Sequence, residues 1–113
     1  MKDLVKRKCK PCEGGVAPLD GPAARELLES LDTAWSLSSD EKAITRSFEF
    51  PSFARTIAFT NAVAWIATVE GHHPELVVRY GSCDVRYTTT AIDGLSENDF
   101  ICAAKIDQLA EDV

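Results

Sequence analysis

The amino-acid sequence predicts an α+β two-layer sandwich: a four-stranded antiparallel sheet with three helices on one face, in the order α-β-β-α-β-β-α. Three observations carry this prediction. Apolar residues recur at helical spacing in three separated stretches. Between those stretches lie two pairs of short runs rich in β-branched and aromatic residues. Each pair is joined by a few polar or small residues, too short for a crossover, so the strands are hairpin partners and the sheet is antiparallel.

The first helix starts at Asp20, an N-cap residue with Pro22 in the first turn, and Ala24, Leu27, Leu28 and Leu31 follow at i, i+3, i+4, i+7. Trp35-Ser36-Leu37 and Ala43–Phe50 then alternate apolar and polar residues around Ser38-Ser39-Asp40-Glu41, which predicts a β-hairpin. Pro51-Ser52 opens a second helix from Phe53 to about Glu70, with Arg55 the only charge before Glu70. A helix apolar nearly all round is buried on more than one side. One sheet covers only one of those sides, so a second copy of the chain is the expected cover for the other, and a homo-oligomer, dimer or tetramer, is predicted.

Leu76–Tyr80 and Cys83–Thr89, separated by Gly81-Ser82, predict a second, tight hairpin. With Gly81-Ser82 as a two-residue loop, Arg79 faces Asp84, Val78 faces Val85 and Leu76 faces Tyr87. Extending that register puts His73 opposite Thr90. Ser96-Glu97-Asn98-Asp99 has the form of a capping box with Asp in the acidic place, and Cys102, Ala103, Ile106, Leu109, Ala110 and Val113 continue as the third helix.

At 113 residues and 45% apolar composition, the chain is one domain with one core. Residues 1–19 have no sustained period and read as an irregular lead-in to a domain spanning 20–113. No apolar run follows the basic residues at the start, so no secretory signal is expected and the cytoplasm is the expected compartment. No stretch reaches the length of a membrane span. The chain carries a net charge of −6, yet residues 1–10 hold five Lys/Arg against one Asp, which leaves −10 on residues 11–113. An acidic body repels phosphate backbones, so nucleic-acid binding is disfavoured. The basic start reads as a solvated or partner-contacting tail. Cys9, Cys12, Cys83 and Cys102 read as thiols, and the single Cys-x-x-Cys lacks a second ligand pair at metal spacing, so no metal site is expected.

Only two histidines occur, His72 and His73, side by side between the second helix and the third strand. Adjacent side chains in extended chain point apart, which disfavours one metal held by both. A solvated pair at a helix end is the ordinary alternative. The longer string is Glu70-Gly71-His72-His73-Pro74-Glu75, then Tyr80, then Gly94-Leu95-Ser96-Glu97-Asn98-Asp99. Over about residues 20 to 110 this resembles the pterin-4a-carbinolamine dehydratases, also known as dimerisation cofactors of homeodomain transcription factors. The resemblance implies a saddle-like fold that dimerises and forms tetramers, and a pterin pocket that needs neither metal nor cofactor. The implied reaction removes water from a 4a-hydroxytetrahydropterin, with His72, His73 and Asp99 at the catalytic positions and Glu75, Tyr80 and Thr90 lining the pocket.

The resemblance breaks at one of those positions. The family's third histidine, in a Thr-His pair four residues before Gly-Leu, is here Thr90, and an acidic residue four positions before the first histidine is here Thr68. Losing a general acid or base costs about 10²–10⁴ in rate. The favoured expectation is therefore a dehydratase-like chain with a degenerate site, acting as an oligomeric protein-binding or assembly factor, such as the Rubisco assembly factor of α-carboxysomes. The alternative is an active dehydratase that recycles pterins. Trp35 and Trp65 are expected to fill core or interface. Glu75 and Arg86 read as pocket wall or solvated sheet face, and Asp99 also has a purely capping reading.

Overall fold

The computed structural model describes residues 3–11, 14 and 16–112. Helix α1 covers Gly21–Leu28, β1 Ser36–Leu37, β2 Ile44–Glu49, α2 Phe53–Glu70, β3 Glu75–Val78, β4 Ser82–Tyr87 and α3 Glu97–Ala110. The order and the α+β class are those the sequence predicts. All strand pairs are antiparallel, and the sheet runs β1-β2-β4-β3. Cys12 and Val113 lie outside the described residues.

Each helix starts on a residue suited to it. The Asp20 carboxylate accepts from the Ala23 amide at 2.9 Å, and the Ser52 hydroxyl from the Arg55 amide at 3.2 Å. Ser96 and Asp99 form the capping box on α3, Asp99 Oδ2 accepting from the Ser96 amide at 2.9 Å. Along β4 the residues alternate in burial, with Cys83, Val85 and Tyr87 fully buried. That face shares one core with Phe59 and Val63 of α2 and with the continuously buried Phe100–Ala104 of α3. Phe48 bridges Trp35 and Phe59, at ring distances of 6.3 and 4.6 Å. Among the described residues, no helix is long and apolar enough to cross a membrane.

The second hairpin differs from its expected register. Val78 pairs with Cys83, Leu76 with Val85 and Glu75 with Arg86, a slip of two residues. The loop is Tyr80-Gly81, closed by the Arg79 amide on the Ser82 carbonyl at 2.8 Å. Tertiary contacts fix it there: Thr56 Oγ1 donates to the Tyr80 carbonyl at 2.9 Å and the Phe50 amide to that of Gly81 at 2.9 Å. A slip of two leaves every side chain on its own face, so the burial pattern alone does not distinguish the registers. Arg79 still reaches Asp84, diagonally, at 2.7 Å. Strand β4 ends at Tyr87, so Thr90 is not a strand partner of His73; it opens a 3-10 turn, Thr90–Ile92.

The start of the chain is a strap rather than a solvated tail. Leu4, in a 3-10 turn over Leu4–Lys6, is only 2% exposed and belongs to the core. Lys105 Nζ donates to the Val5 carbonyl, Arg7 pairs with Glu97, and the Asn98 side chain bonds both the amide and the carbonyl of Lys10.

Gly71 ends α2 at φ +67°, the left-handed conformation that glycine adopts without penalty. A Cβ there meets nothing within 4 Å, so any cost of adding one is conformational alone. Gly71→Ala is expected to lower unfolding free energy by about 1–2 kcal/mol, measured by urea titration.

Candidate active site

Gly71 turns the chain off α2 and sends the two histidines to different places. His72 goes inward: its residue is 7% exposed, its ring stacks on Tyr87 at 5.3 Å, and its Nε2 lies 2.6 Å from Asp99 Oδ1. Asp99 is fully buried at the first turn of α3. Its other oxygen accepts from Thr89 Oγ1 at 2.8 Å as well as from the Ser96 amide. One carboxylate therefore ties together the end of α2, the segment after β4 and the start of α3. Burial opposes a charge on His72, but the hydrogen bond and negative charge of Asp99 outweigh it and raise its pKa above the ordinary value. Burial also pushes the Tyr87 phenol well above its usual range, so it is neutral.

His73 goes outward. It is exposed and, with Gly71, His72, Pro74 and Glu75 on one side and Arg86 and Thr88–Ala91 on the other, lines a hollow of about 520 Å³. That size is ordinary for a small-molecule site. Glu75 and Arg86 are cross-strand neighbours with an ion-pair distance of 4.0 Å. Thr90 is exposed in the same hollow as both histidines.

The structure thus brings together His72, His73, Glu75 and Thr90 around one hollow, with Asp99 behind His72. Tyr80 is elsewhere: it sits at the tip of the second hairpin, 71% exposed, stacked on Phe53 at 6.1 Å. Thr68 is an exposed residue of α2 whose hydroxyl donates to the Ala64 carbonyl. Sequence reasoning missed Thr89 and Tyr87. Thr89 is 3% exposed and shares its hydroxyl between Asp99 and Ser96, while Thr88 and Thr90 beside it are more open. Three threonines in a row carry no mark of which one turns inward.

The site is thus a buried imidazole bonded to a carboxylate, next to an open imidazole in a hollow of small-molecule size, on a small α+β scaffold. The family model for pterin 4 alpha carbinolamine dehydratase matches residues 17–109. A protein of Nitrosomonas eutropha named "Putative pterin-4-alpha-carbinolamine dehydratase" is 55% identical over 95% of this chain and 93% of its own. One of the same name from Legionella pneumophila strain Lens is 48% identical over 97% of each. The crystal structure of a transcriptional coactivator/pterin dehydratase from Brucella melitensis superposes with a TM-score of 0.77 at 33% identity, over 82% of this chain and 98% of that one. A pterin dehydratase-like protein identified as a RuBisCO assembly factor in the alpha-carboxysome shares the fold, with a TM-score of 0.59 at 24% identity over 68% of this chain and 89% of that one. This chain belongs to the pterin-4a-carbinolamine dehydratase family.

Two outcomes test the buried pair. Asp99→Ala removes the carboxylate that His72, Thr89 and the Ser96 amide share and is expected to cost about 3–5 kcal/mol in urea unfolding. A raised folded pKa stabilises below the unfolded value and ceases to do so as pH climbs through the folded one. The unfolding free-energy gap between wild type and His72→Gln should therefore be larger near pH 6 than near pH 9.

Proposed function

We propose that this chain binds a reduced pterin in the His73 hollow and dehydrates 4a-hydroxytetrahydropterin, at a rate lowered by Thr90. The observation that carries this reading is the open His73 imidazole beside the buried His72–Asp99 pair, in a hollow of about 520 Å³. Its support is the pair of full-length relatives at 55% and 48% identity with dehydratase names.

Dehydration requires one proton to reach the departing 4a-hydroxyl and another to leave a ring nitrogen. An imidazole is the side chain suited to such exchange near neutral pH, and His73 is the one exposed to the hollow. His72, held by Asp99, is a positioning and electrostatic group whose charge the carboxylate favours. Glu75 and Arg86 offer a carboxylate and a guanidinium at the wall, suited to the donor and acceptor edge of a pterin. Thr90 supplies a hydroxyl, which hydrogen-bonds but does not exchange protons at neutral pH. With one of the family's three imidazoles replaced, turnover is slow.

Measured dehydration of 4a-hydroxytetrahydropterin should exceed the uncatalysed rate, fall to it in His73→Ala, and rise in Thr90→His by a factor within the about 10²–10⁴ that acid–base groups supply. A wild-type rate equal to background overturns the catalytic reading.

That last outcome belongs to a second reading, in which the hollow is silenced and the chain serves as a protein-binding or assembly factor, with a client such as Rubisco. Thr90 in the hollow favours it. So does the apolar outer face of α2, where Trp65 is 68% and Val69 53% exposed in the single chain. Under either reading the first use of that face is self-association into a cytoplasmic dimer or tetramer. Trp65→Asp should shift the mass measured by sedimentation from an oligomer to a smaller species, with the helical circular-dichroism signal retained.

A further inference from the structure

The strap places one thiol against another. Cys9 Sγ lies 3.5 Å from Cys102 Sγ, although 93 positions separate them in the sequence. Cys102 is fully buried on α3, its sulfur 3.9 Å from the His72 carbonyl, whereas Cys9 is half-buried. Neither position is accidental packing of a loose end. The Cys9 amide donates to Glu70 Oε1 at 2.9 Å, and the next residue, Lys10, is held by Asn98 through two hydrogen bonds of 3.0 and 2.7 Å. Glu70 is itself paired with Lys105 at 3.6 Å. The strap thus meets the last residue of α2 and one side of α3 at the point where the sulfurs touch.

We propose that Cys9 and Cys102 are a redox modification site, a dithiol that a hydroperoxide converts into an intramolecular disulfide stapling the strap to α3 beneath His72. A disulfide needs its sulfurs at about 2.05 Å, so closing the pair takes a movement of about 1.5 Å. Rotation about the Cys9 side chain with a small shift of the strap supplies that, because residues 7–11 belong to no helix or strand. The roles of the two sulfurs differ. Cys102 is the better thiolate, its pKa lowered first by the hydrogen bond from Cys9, against its burial, and further by Tyr87 and the charge of His72. Cys9 is raised and serves as the proton donor.

The chemistry balances. The Cys102 thiolate attacks one peroxide oxygen, forming S–O and breaking O–O, and the departing hydroxide takes up the thiol's proton as water. Cys9 sulfur then attacks the sulfenic sulfur, forming S–S and expelling a second hydroxide, which leaves as water with the Cys9 proton. Two thiols are oxidised and one hydroperoxide is reduced. The half-buried Cys9 packs against the buried Cys102 sulfur and marks the side from which a small oxidant approaches it.

The test uses the full chain, reduced and then exposed to hydrogen peroxide, followed by alkylation, intact mass and non-reducing peptide mapping. The expected result is loss of two hydrogens with a Cys9–Cys102 linked peptide, reversed by dithiothreitol, formed equally in Cys12→Ser and absent in Cys9→Ser. Because the pair is held together only by the fold, linkage should form at least about tenfold faster in native buffer than in unfolding concentrations of urea. The oxidised chain should also show a higher urea midpoint than the reduced one, a shift that Cys9→Ser lacks. A Cys9–Cys12 linkage as the main product, oxidation to sulfinic acid without a cross-link, no reaction, or a rate in urea equal to the native one overturns the proposal.

Discussion

The buried hydrogen bond between His72 and Asp99 is the contact on which the rest of the site is built, because it joins three parts of the chain that share no helix or strand. His72 follows the C-terminus of α2, Asp99 lies in the first turn of α3, and Thr89 lies beyond the end of β4. A buried carboxylate must be paired to be tolerated, and Asp99 accepts from the His72 ring, the Thr89 hydroxyl and the Ser96 amide. The interaction also fixes directions. With His72 turned inward and stacked on Tyr87, the next residue of an extended segment faces the other way, and His73 is placed in the hollow.

Electrostatics sharpens that division of labour. The inward imidazole sits against a carboxylate that favours its charged form, while the outward one faces solvent and the Glu75–Arg86 wall. Two adjacent residues of one type thus have unlike environments, one buried against a carboxylate and one open to the hollow. The capping box contributes to the same arrangement. Asp99 serves the helix with one oxygen and the histidine with the other, so capping α3 does not compete with its bond to His72.

Much of this was legible in the residues. The class, the element order and the span of α2 follow from periodicity and from Pro51-Ser52 and Gly71 at its ends. The Ser96–Asp99 box follows from its spacing alone. The hairpin register did not, because Thr56 and Phe50, distant in sequence, hold the Tyr80-Gly81 turn, and a shift of two residues alters no side chain's face. The strap was hidden for a similar reason. A single leucine among basic residues carries no period, yet Leu4 reaches the core, and the polar groups that hold residues 9 and 10 come from Glu70 and Asn98 far along the chain. Tyr80, placed in the pocket by resemblance, stands at the far end of β3 from the hollow, stacked on Phe53.

The run Thr88-Thr89-Thr90 shows how chemistry and stability come apart at this site. Thr89 is buried, and its hydroxyl completes the coordination of Asp99, so a change there disturbs the bond that holds three segments. Thr90, one residue on, is exposed, opens a short 3-10 turn and has a backbone pinned from either side by the Thr89–Gly94 bridge. A side chain at that position contributes little to folding and faces the hollow directly. A substitution at position 90 is therefore expected to leave the scaffold and the buried His72–Asp99 pair in place and to change chiefly the chemistry of the hollow.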